Sequence, residues 1–559
     1  MTDVQSAVEA LADQFWEGIL ELRPTTATFY GDPRYADRLE DPSPEGRAKA
    51  RALMQRTAEE AAAIPIDGLS TEERITRDML RVIGELGVEE DDQGLHQLRV
   101  VDQMAGPQQL LPQLTRFHRV DSPAGLESFL ERVRAYPAYM AAHADTLREA
   151  LGTGLTAPAV VTERTIAQIE RLLAIPIDAA IVPASVIGAS DADRERIREA
   201  VREHVYPADA AFLETLRGEY RHASREEPGL WSAPDGETLY RTAIRSWTTL
   251  EMDPREIHEI GVAELEAIEA ERREVARAAG FGDDTTAYRA SLDEMPGNTP
   301  ASKAELVARA VEDIDRAMAL APRYFGTLPN AGLDVRPVED YKEQDAPFAY
   351  YYPPSTDGSR NGIYYANGYD LPSRKYTKLA STTYHEAAPG HHFQITLDME
   401  NPRLSAFRRL GTSMVGGAFI EGWGLYSERL ADEMGLYRSE AERFGMLDGQ
   451  AWRAARLVVD TGLHALRWER QRAIDYLRDD AGLSQTDAVI ETDRYICWPG
   501  QALTYKLGQR QIEQLRREIA ARDGDRFDLR EFHDQILGHG SLPLATLARE
   551  LPTWVRTPA

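Results

Sequence analysis

The hydrophobic and polar positions of this chain follow a helical period over most of its length. From Val4 to Leu22 the apolar residues keep the spacing of one helix face, which is typical of an amphipathic α-helix. The same spacing recurs at 44 to 63, 71 to 88, 124 to 151, 160 to 174, 190 to 221, 254 to 280 and 301 to 322. The pattern therefore predicts a mainly α protein.

One helix start is especially well marked. Asp253 offers an N-cap side chain, Pro254 suits the first helical position, and Glu256 is placed as a capping-box glutamate. These signals predict a helix that begins at Pro254.

One region breaks the helical pattern. Between Leu333 and Tyr369 the chain is dense in Tyr, Val and Ile and contains the turn pair Asn361-Gly362. Such a segment predicts a small antiparallel β-sheet. No repeat or Gly/Ser linker divides the chain, so we expect one helical domain over 1–559. The turn-rich stretch at 226 to 236 marks a boundary between an N-terminal lobe, 1–230, and a second lobe, 231–559, that carries the chemistry.

Charge and composition exclude several classes of protein. With 92 acidic against 64 basic residues the formal net charge is −28, which disfavours nucleic acid or an anionic membrane as a partner. A single cysteine, Cys497, leaves no disulfide framework and no cysteine zinc cluster. The N-terminus lacks a basic segment before an apolar run, and no stretch approaches the ~18 apolar residues of a membrane span. We therefore expect a cytoplasmic protein.

A cluster of histidines points to a metal. Of only twelve histidines in 559 residues, three fall in the octet HEAAPGHH at 385 to 392, where Glu386 directly follows His385. In zinc peptidases of the HExxH type, two histidines one helical turn apart bind the metal and the glutamate activates a water molecule. Here the fifth position is Pro389, which offers no donor atom.

The second histidine ligand is therefore either His391 or His392. If Pro389 and Gly390 act as a two-residue insertion, His391 takes the place of the usual second histidine. An undistorted helix would instead put His392 on the face of His385, but about 10.5 Å further along the axis. That distance is too long for two zinc bonds of ~2.0 Å. We prefer His391 and keep His392 as the alternative.

A third ligand is expected on a downstream helix. Glu421 and Glu428 share a helix face, and the residues around Glu421 are apolar, which implies a burial that a charge tolerates only when it is paired or metal-bound. We predict that Glu421 binds the metal and that Glu428 supports the site. Gly422 and Gly424 predict a close approach of this helix to another element.

Two further segments carry polar residues suited to catalysis. A tyrosine or histidine opposite a metal can donate a hydrogen bond to a tetrahedral oxyanion. We predict Tyr505 in this role, supported by His464 or by Tyr495. Arg494 is predicted to hold a terminal carboxylate of the substrate, because a guanidinium binds carboxylates in two-point fashion.

The strings HEAAPGHH, EGWGLYSE, RLVVDTGLH and DRYICWPGQALTYKLG resemble the bacterial family called domain of unknown function 885, over nearly the whole chain. That family is in turn similar to the carboxypeptidase Taq family and to other helical gluzincin zinc peptidases. The resemblance implies a large helical, two-lobed body with a deep cleft and a small sheet beside the active site.

Together these observations predict a zinc metallopeptidase of carboxypeptidase or dipeptidase type, with one zinc per chain and a short peptide or small amide as substrate. His385, His391 and Glu421 would hold the metal, and Glu386 would take a proton from water. Two alternatives stay open: a metal-dependent hydrolase of a non-peptide amide or ester, and a non-catalytic helical protein with a structural metal site. Whether the chain forms a homodimer is also left open.

Overall fold

The computed structural model describes residues 6–555 except 339–342, 344–346, 357 and 359. The chain folds into two compact units. The first unit comprises Met1–Thr242, Leu463–Arg470 and Ile490–Pro499, and the second comprises Ala243–Gly462, Gln471–Val489 and Gly500–Ala559. The whole histidine motif and the glutamates predicted beside it lie in the second unit.

The described part of the chain is mostly helical, as predicted. In chain order its α-helices are α1 (Ala7–Leu22), α2 (Pro24–Phe29), α3 (Pro44–Ala63), α4 (Thr71–Asp92), α5 (Leu95–Arg99), α6 (Leu110–Leu114), α7 (Pro123–Thr153), α8 (Ala159–Ala174), α9 (Ile181–Ser185), α10 (Asp191–Ala200), α11 (Tyr206–Thr215), α12 (Arg221–Ala223), α13 (Gly236–Thr248), α14 (Pro254–Ala278), α15 (Thr285–Asp293), α16 (Lys303–Leu320), α17 (Tyr376–Glu386), α18 (His391–Glu400), α19 (Ala406–Leu410), α20 (Gly417–Glu433), α21 (Glu440–His464), α22 (Arg470–Asp479), α23 (Gln485–Cys497), α24 (Thr504–Asp523), α25 (Leu529–Gly538) and α26 (Leu544–Trp554).

The helix starts follow the local signals in the sequence. The predicted start at Pro254 is confirmed, and the Asp253 side chain accepts a hydrogen bond from the backbone N–H of Arg255 at 2.9 Å. α1 begins at Ala7 behind a capping box formed by Ser6 and Glu9. Its predicted first turn from Val4 extends beyond the described residues.

The small sheet is mixed, which differs from the antiparallel sheet predicted. Its strands are β1 (Leu333–Pro337), β2 (Ala349–Tyr352) and β3 (Gly362–Ala366), in the order β1-β3-β2. β2 and β3 pair antiparallel, with Tyr351 opposite Tyr364, whereas β1 and β3 pair in parallel. Strand direction reverses from β1 to β2 and again from β2 to β3, so β1 and β3 run the same way, and as neighbours in the sheet they pair in parallel.

One face of the sheet packs against the helices before the motif. Tyr364 and Ala349 form a buried cluster with Leu306 of α16 and with Leu379 and Ala387 at α17. The apolar alternation of β2 and β3 thus fixes the sheet against α17, whose last two residues are His385 and Glu386.

In the described part of the chain, none of the helices combines the length and the apolar composition that crossing a membrane requires. The two-lobed outline, the cleft and the division at residue 230 stay predictions.

Candidate metal centre

The motif octet is divided between two helices instead of lying on one. α17 ends at Glu386 and α18 begins at His391, and between them the backbone of Ala387 leaves the helical region with φ −105° and ψ −107°. A Cβ atom on Gly390 would overlap the carbonyl oxygen of His385. Only glycine therefore lets the chain fold back over the end of α17, and this return brings His391 next to His385.

Helix α20 holds the connection between α17 and α18 in place. The indole N–H of Trp423 donates to the carbonyl oxygen of Pro389 at 3.0 Å, and the hydroxyl of Ser427 donates to the same oxygen at 3.3 Å. Both side chains are buried. The turn is thus tied to the helix that also carries Glu421 and Glu428.

The ring of His385 lies between the two carboxylates of α20. Its Nδ1 is 2.9 Å from Oε1 of Glu428, and its Nε2 is 3.5 Å from Oε2 of Glu421. Gly424 lies between these glutamates, and a Cβ atom there would come within 2.7 Å of Nε2 and 2.8 Å of Cε1 of His385. The imidazole therefore occupies a notch in α20 that is framed by Glu421, Gly424 and Glu428.

Glu428 orients this ring from a fully buried position. Its side chain is 0% exposed, and it accepts a hydrogen bond from the Ser381 hydroxyl at 2.7 Å. The guanidinium of Arg453 lies 3.5 Å away. With Nδ1 of His385 held by this carboxylate, Nε2 is the ring nitrogen that faces Glu421, and it can bind a metal once its proton is lost. A carboxylate behind a histidine is the usual way of orienting a metal ligand.

The second imidazole completes a compact donor set. Nε2 of His391 lies 3.6 Å from the same Oε2 of Glu421, and the two rings meet edge to face at 4.7 Å and 83°. Ligand atoms bound at 2.0–2.1 Å to a tetrahedral zinc lie about 3.3–3.4 Å apart. A charged hydrogen bond would bring nitrogen and oxygen to roughly 2.7–2.9 Å. The measured spacings therefore suit three ligands of one metal ion better than a hydrogen-bonded triad.

Glu386 lies beside this donor set. Among the described residues, donor atoms of His385, Glu386 and His391 all lie within 4.8 Å of one another. Burial raises the pKa of Glu386 above its ordinary value, although the neighbouring His391 and His385 act in the opposite direction. A carboxylate with a raised pKa next to a metal is suited to accept a proton from water near neutral pH.

The electrostatics of the three donors favour a bound cation. Burial works to lower the pKa of His385, but its interactions with Glu421 and Glu428 outweigh burial and raise the pKa to about 9. Burial likewise works to raise the pKa of Glu421, and both imidazoles hold it well below its ordinary value. Without metal, a proton on His385 offsets part of the negative charge of Glu421 and Glu428, and a divalent cation can supply positive charge in its place.

His392 points away from the donor set. Its Nδ1 is 3.0 Å from the hydroxyl of Tyr351 on β2 and 3.3 Å from the hydroxyl of Thr396. Burial lowers its pKa to about 4, so the ring is neutral at physiological pH. The structure thus brings His391, and not His392, to His385 and Glu421.

Tyr505 is close to the metal centre. It lies in the first turn of α24, and its ring stacks on that of His385 with centroids 6.3 Å apart and planes at 26°. α24 approaches α20 closely at Gly422, where a Cβ atom would overlap the backbone of Gly508. The absence of a side chain on Gly422 therefore permits this approach. The close approach that the glycines of α20 predict is therefore present, and it delivers Tyr505 to the site.

Three predicted residues lie in the first unit, where each has a local environment of its own. Nδ1 of His464 is 3.2 Å from the backbone N–H of Leu230, and its Nε2 is 3.0 Å from the carbonyl oxygen of Tyr495. Burial lowers the pKa of His464 to about 3, so it is a neutral ring bound to backbone. Arg494 lies 3.7 Å from Glu491, and Tyr495 is 1% exposed. We leave these three residues out of the proposed chemistry.

The sequence did not reveal the polar residues that support Glu428. Gln450 donates to Glu428 at 3.4 Å, and the buried ammonium of Lys506 donates to the Gln450 carbonyl at 2.9 Å. Ser381 lies one helical turn before His385, so the spacing along α17 could have indicated it. Gln450 and Lys506 come from distant segments, and no local pattern marks them.

A mainly α-helical protein with two histidines and a glutamate arranged around one point is a candidate metalloprotein. A family model matches residues 24–551, which is nearly the whole chain. The chain belongs to the family described as "Bacterial protein of unknown function (DUF885)". No curated protein is significantly similar to it.

Two solved structures share the fold over almost the whole chain. A protein from Colwellia psychrerythraea, described as a "putative lipoprotein", is 27% identical and has a TM-score of 0.91, covering 99% of this chain and 100% of its own. A protein of unknown function from Shewanella oneidensis, described in the same way, is 19% identical with a TM-score of 0.73, covering 98% and 99%. At that lower identity the likeness concerns the fold alone.

The descriptions of these two proteins overturn one expectation. The amino-acid composition and the N-terminus predicted a cytoplasmic location, but lipoproteins are anchored to membranes outside the cytoplasm, and both similar structures carry that description. The prediction of a cytoplasmic protein is wrong. It failed because the two features used are limited in what they indicate. Net charge indicates only whether a surface is basic, and the length of apolar segments indicates only whether a helix can span a membrane.

Proposed function

We propose that this protein is a zinc-dependent hydrolase that cleaves short peptides, with one metal ion per chain held by His385, His391 and Glu421. One observation carries the proposal: a single oxygen of Glu421 lies 3.5 Å and 3.6 Å from the Nε2 atoms of the two histidines. Two imidazoles and one carboxylate form the ligand set of many catalytic zinc sites, which keep a fourth position for water.

The bound metal would supply an acidified water molecule and polarise the carbonyl group of the substrate. Glu386 would take the proton of that water and later give it to the leaving amine. Its position supports this role, because it follows His385 directly and lies within 4.8 Å of both imidazole donors. His385 needs a fixed orientation for the same chemistry, and its hydrogen bond to Glu428 provides it.

Tyr505 would donate a hydrogen bond to the oxyanion that forms when water attacks the carbonyl. Its stacking on His385 supports this role. Arg456 lies over the phenol ring, with its guanidinium carbon 4.2 Å from the ring centre. Tyr505→Phe is expected to keep the metal and to lower kcat by on the order of 10²- to 10³-fold, the usual loss for one oxyanion donor.

Strand β2 supports a peptide as the substrate. It is the outer strand of the sheet in the order β1-β3-β2, so one of its edges can pair with an extended chain by backbone hydrogen bonds. Tyr351 of β2 contacts His392, the residue next to the proposed ligand His391. A peptide paired with β2 would therefore lie in the same unit as the metal and close to it.

The test combines metal analysis with a screen of alanine, leucine and phenylalanine tripeptides on wild type and Glu386→Gln. We expect both proteins to carry about one zinc and only the wild type to hydrolyse a peptide. Glu433→Gln serves as the matched control, because Glu433 is on α20 but pairs with Arg516 at 2.7 Å on the surface. Equal hydrolysis by wild type and Glu386→Gln would refute the mechanism.

The same experiment separates the two alternatives. Loss of zinc from Glu386→Gln would make Glu386 a fourth ligand and favour a closed structural site, which has no use for a free base. Hydrolysis of aryl esters but of none of the peptides, again dependent on Glu386, would favour a non-peptide substrate.

A further inference from the structure

The third histidine of the motif connects the sheet to the metal-bearing helix. The hydroxyl of Tyr351 lies 3.0 Å from Nδ1 of His392 and 3.2 Å from the hydroxyl of Thr396. The two rings meet edge to face with centroids 5.7 Å apart. Tyr351 is on the edge strand β2, whereas His392 and Thr396 are on α18. A partly buried polar contact therefore joins the edge strand to the helix that begins with His391.

α18 also holds the chain that leads into β1. The ring of His392 hydrogen-bonds the backbone of Ala331. At the other end of the same helix, Glu400 accepts hydrogen bonds from the backbone N–H groups of Asn330 at 2.8 Å and Ala331 at 2.7 Å. Nδ1 of His392 and the carboxylate of Glu400 thus tie α18 to β2 and to the chain that leads into β1.

We propose that His392 and Tyr351 are positioning residues that fix the edge strand β2 relative to the metal, and with it a peptide bound along that strand. The effect on substrate rests on the function proposed above, whereas the connection between β2 and α18 does not. Because Tyr351 faces α18, its two neighbours in the strand face the other side of the sheet, where Tyr350 stacks on Tyr365 at 4.9 Å. Tyr351 is therefore the side chain of the strand that sets its distance from the metal-bearing helix.

A shift of this strand should affect substrate binding more than metal binding. A bound peptide would move with β2, while His385, His391 and Glu421 would stay on α17, α18 and α20. Misplacing a scissile bond by about 1 Å can cost on the order of 10²-fold in rate. Loss of a single hydrogen bond that positions β2 should have a smaller effect, a rise in KM of roughly 2- to 10-fold.

Three variants dissect the contact. Tyr351→Phe and His392→Gln each remove the Tyr–His hydrogen bond, and each should raise KM for the fastest tripeptide of the screen by roughly 2- to 10-fold with kcat nearly unchanged. Their double variant should raise KM by less than the product of the two single effects, because the two changes share the Tyr351–His392 contact. His392→Asn places an amide oxygen near the position of Nδ1, so it should restore KM toward the wild-type value.

A matched control tests for a general loss of stability. Tyr426 and His533 form a buried hydrogen bond of the same kind at 2.8 Å, between helices and away from the sheet. Tyr426→Phe should lower Tm as Tyr351→Phe does, and it should leave KM unchanged. A KM increase in Tyr426→Phe equal to that in Tyr351→Phe would overturn the positioning role.

Two measurements do not depend on turnover. Zinc content should stay at one per chain in Tyr351→Phe and His392→Gln, and amide hydrogen exchange at Ala349–Tyr352 should become faster in both. Loss of zinc from His392→Gln would make His392 a ligand, and unchanged exchange in β2 would disprove the connection. If the wild type cleaves no peptide, the proposed function fails, and the exchange result alone then decides whether His392 holds the strand.

Discussion

Gly424→Ala offers a sharp test of the metal site, because it adds one methyl group against one ligand atom. The new Cβ would lie 2.7 Å from Nε2, 2.8 Å from Cε1 and 3.0 Å from Cδ2 of His385. Ordinary van der Waals contact of a Cβ atom with another heavy atom begins at about 3.4 Å. The imidazole must therefore move by roughly 0.7 Å, and the atom pressed hardest is the nitrogen that faces Glu421.

The size of this shift predicts a large loss of metal with little loss of fold. Metal–ligand distances in real sites vary by only about 0.2 Å, so a displacement of about 0.7 Å should weaken zinc binding by at least 10- to 100-fold, or about 1.4 to 2.7 kcal/mol. Replacing glycine by alanine inside a helix stabilises that helix by up to about 1 kcal/mol. The variant should thus lose zinc while its Tm, measured without metal, stays level or rises.

The assay is chelator competition for zinc, with Tm of the metal-free proteins measured alongside. Gly417→Ala is the control on the same helix, since a Cβ atom there has a single neighbour within 4 Å, the carbonyl oxygen of Trp247 at 3.8 Å. It should bind zinc as the wild type does. If Gly424→Ala keeps wild-type affinity, the ring of His385 is not the ligand that the structure indicates.

The remaining predictions concern the ligands, their support and pH. His391→Ala should abolish zinc binding and His392→Ala should not, and the reverse order in chelator competition would refute our assignment. Glu428→Gln should weaken zinc binding by about 10- to 100-fold, because it removes the carboxylate that orients His385; unchanged affinity would contradict this. Burial lowers the pKa of His118 to about 4, so its contribution to stability, on the order of 3 kcal/mol, is present above pH ~6.5 and is lost as pH falls toward 4. Between pH 7 and 4 the Tm of wild type should fall more than that of His118→Gln, and parallel curves would count against it.

Local patterns were enough to predict the helices and some of the residues that the structure brings together at the candidate site. The N-cap at Asp253 and the proline at 254 fix the start of α14, because capping depends on residues close in sequence. Glu421 and Glu428 were predicted to act at one site because they share a helix face, and they contact opposite nitrogens of His385. The spacing of residues along one helix indicates which side chains share a face.

Interactions between distant segments could not be predicted in the same way. Turn signals indicated a hairpin, yet β1 joins the sheet in parallel through a partner that lies between it and β2. His464 was predicted to support Tyr505 as an oxyanion donor. The structure instead places His464 against backbone groups of Leu230 and Tyr495. The sequence shows that a polar residue lies on a given helix face, but it does not show which element packs against that face.

The positions of His385 and His391, the proposed metal ligands, depend on two glycines, and each glycine lies against His385. At Gly424 a side chain would strike the ring of His385, and at Gly390 it would strike the carbonyl oxygen of His385. The first glycine makes room for the imidazole in α20, and the second lets α18 begin where α17 has just ended. Glycine is unfavourable inside α20, and Gly390 lies in the non-helical connection just before α18, so helix propensity does not account for either residue. The spacing of Glu421, Gly424 and Glu428, read together with His385, Pro389, Gly390 and His391, therefore describes the metal centre more completely than the histidines do alone.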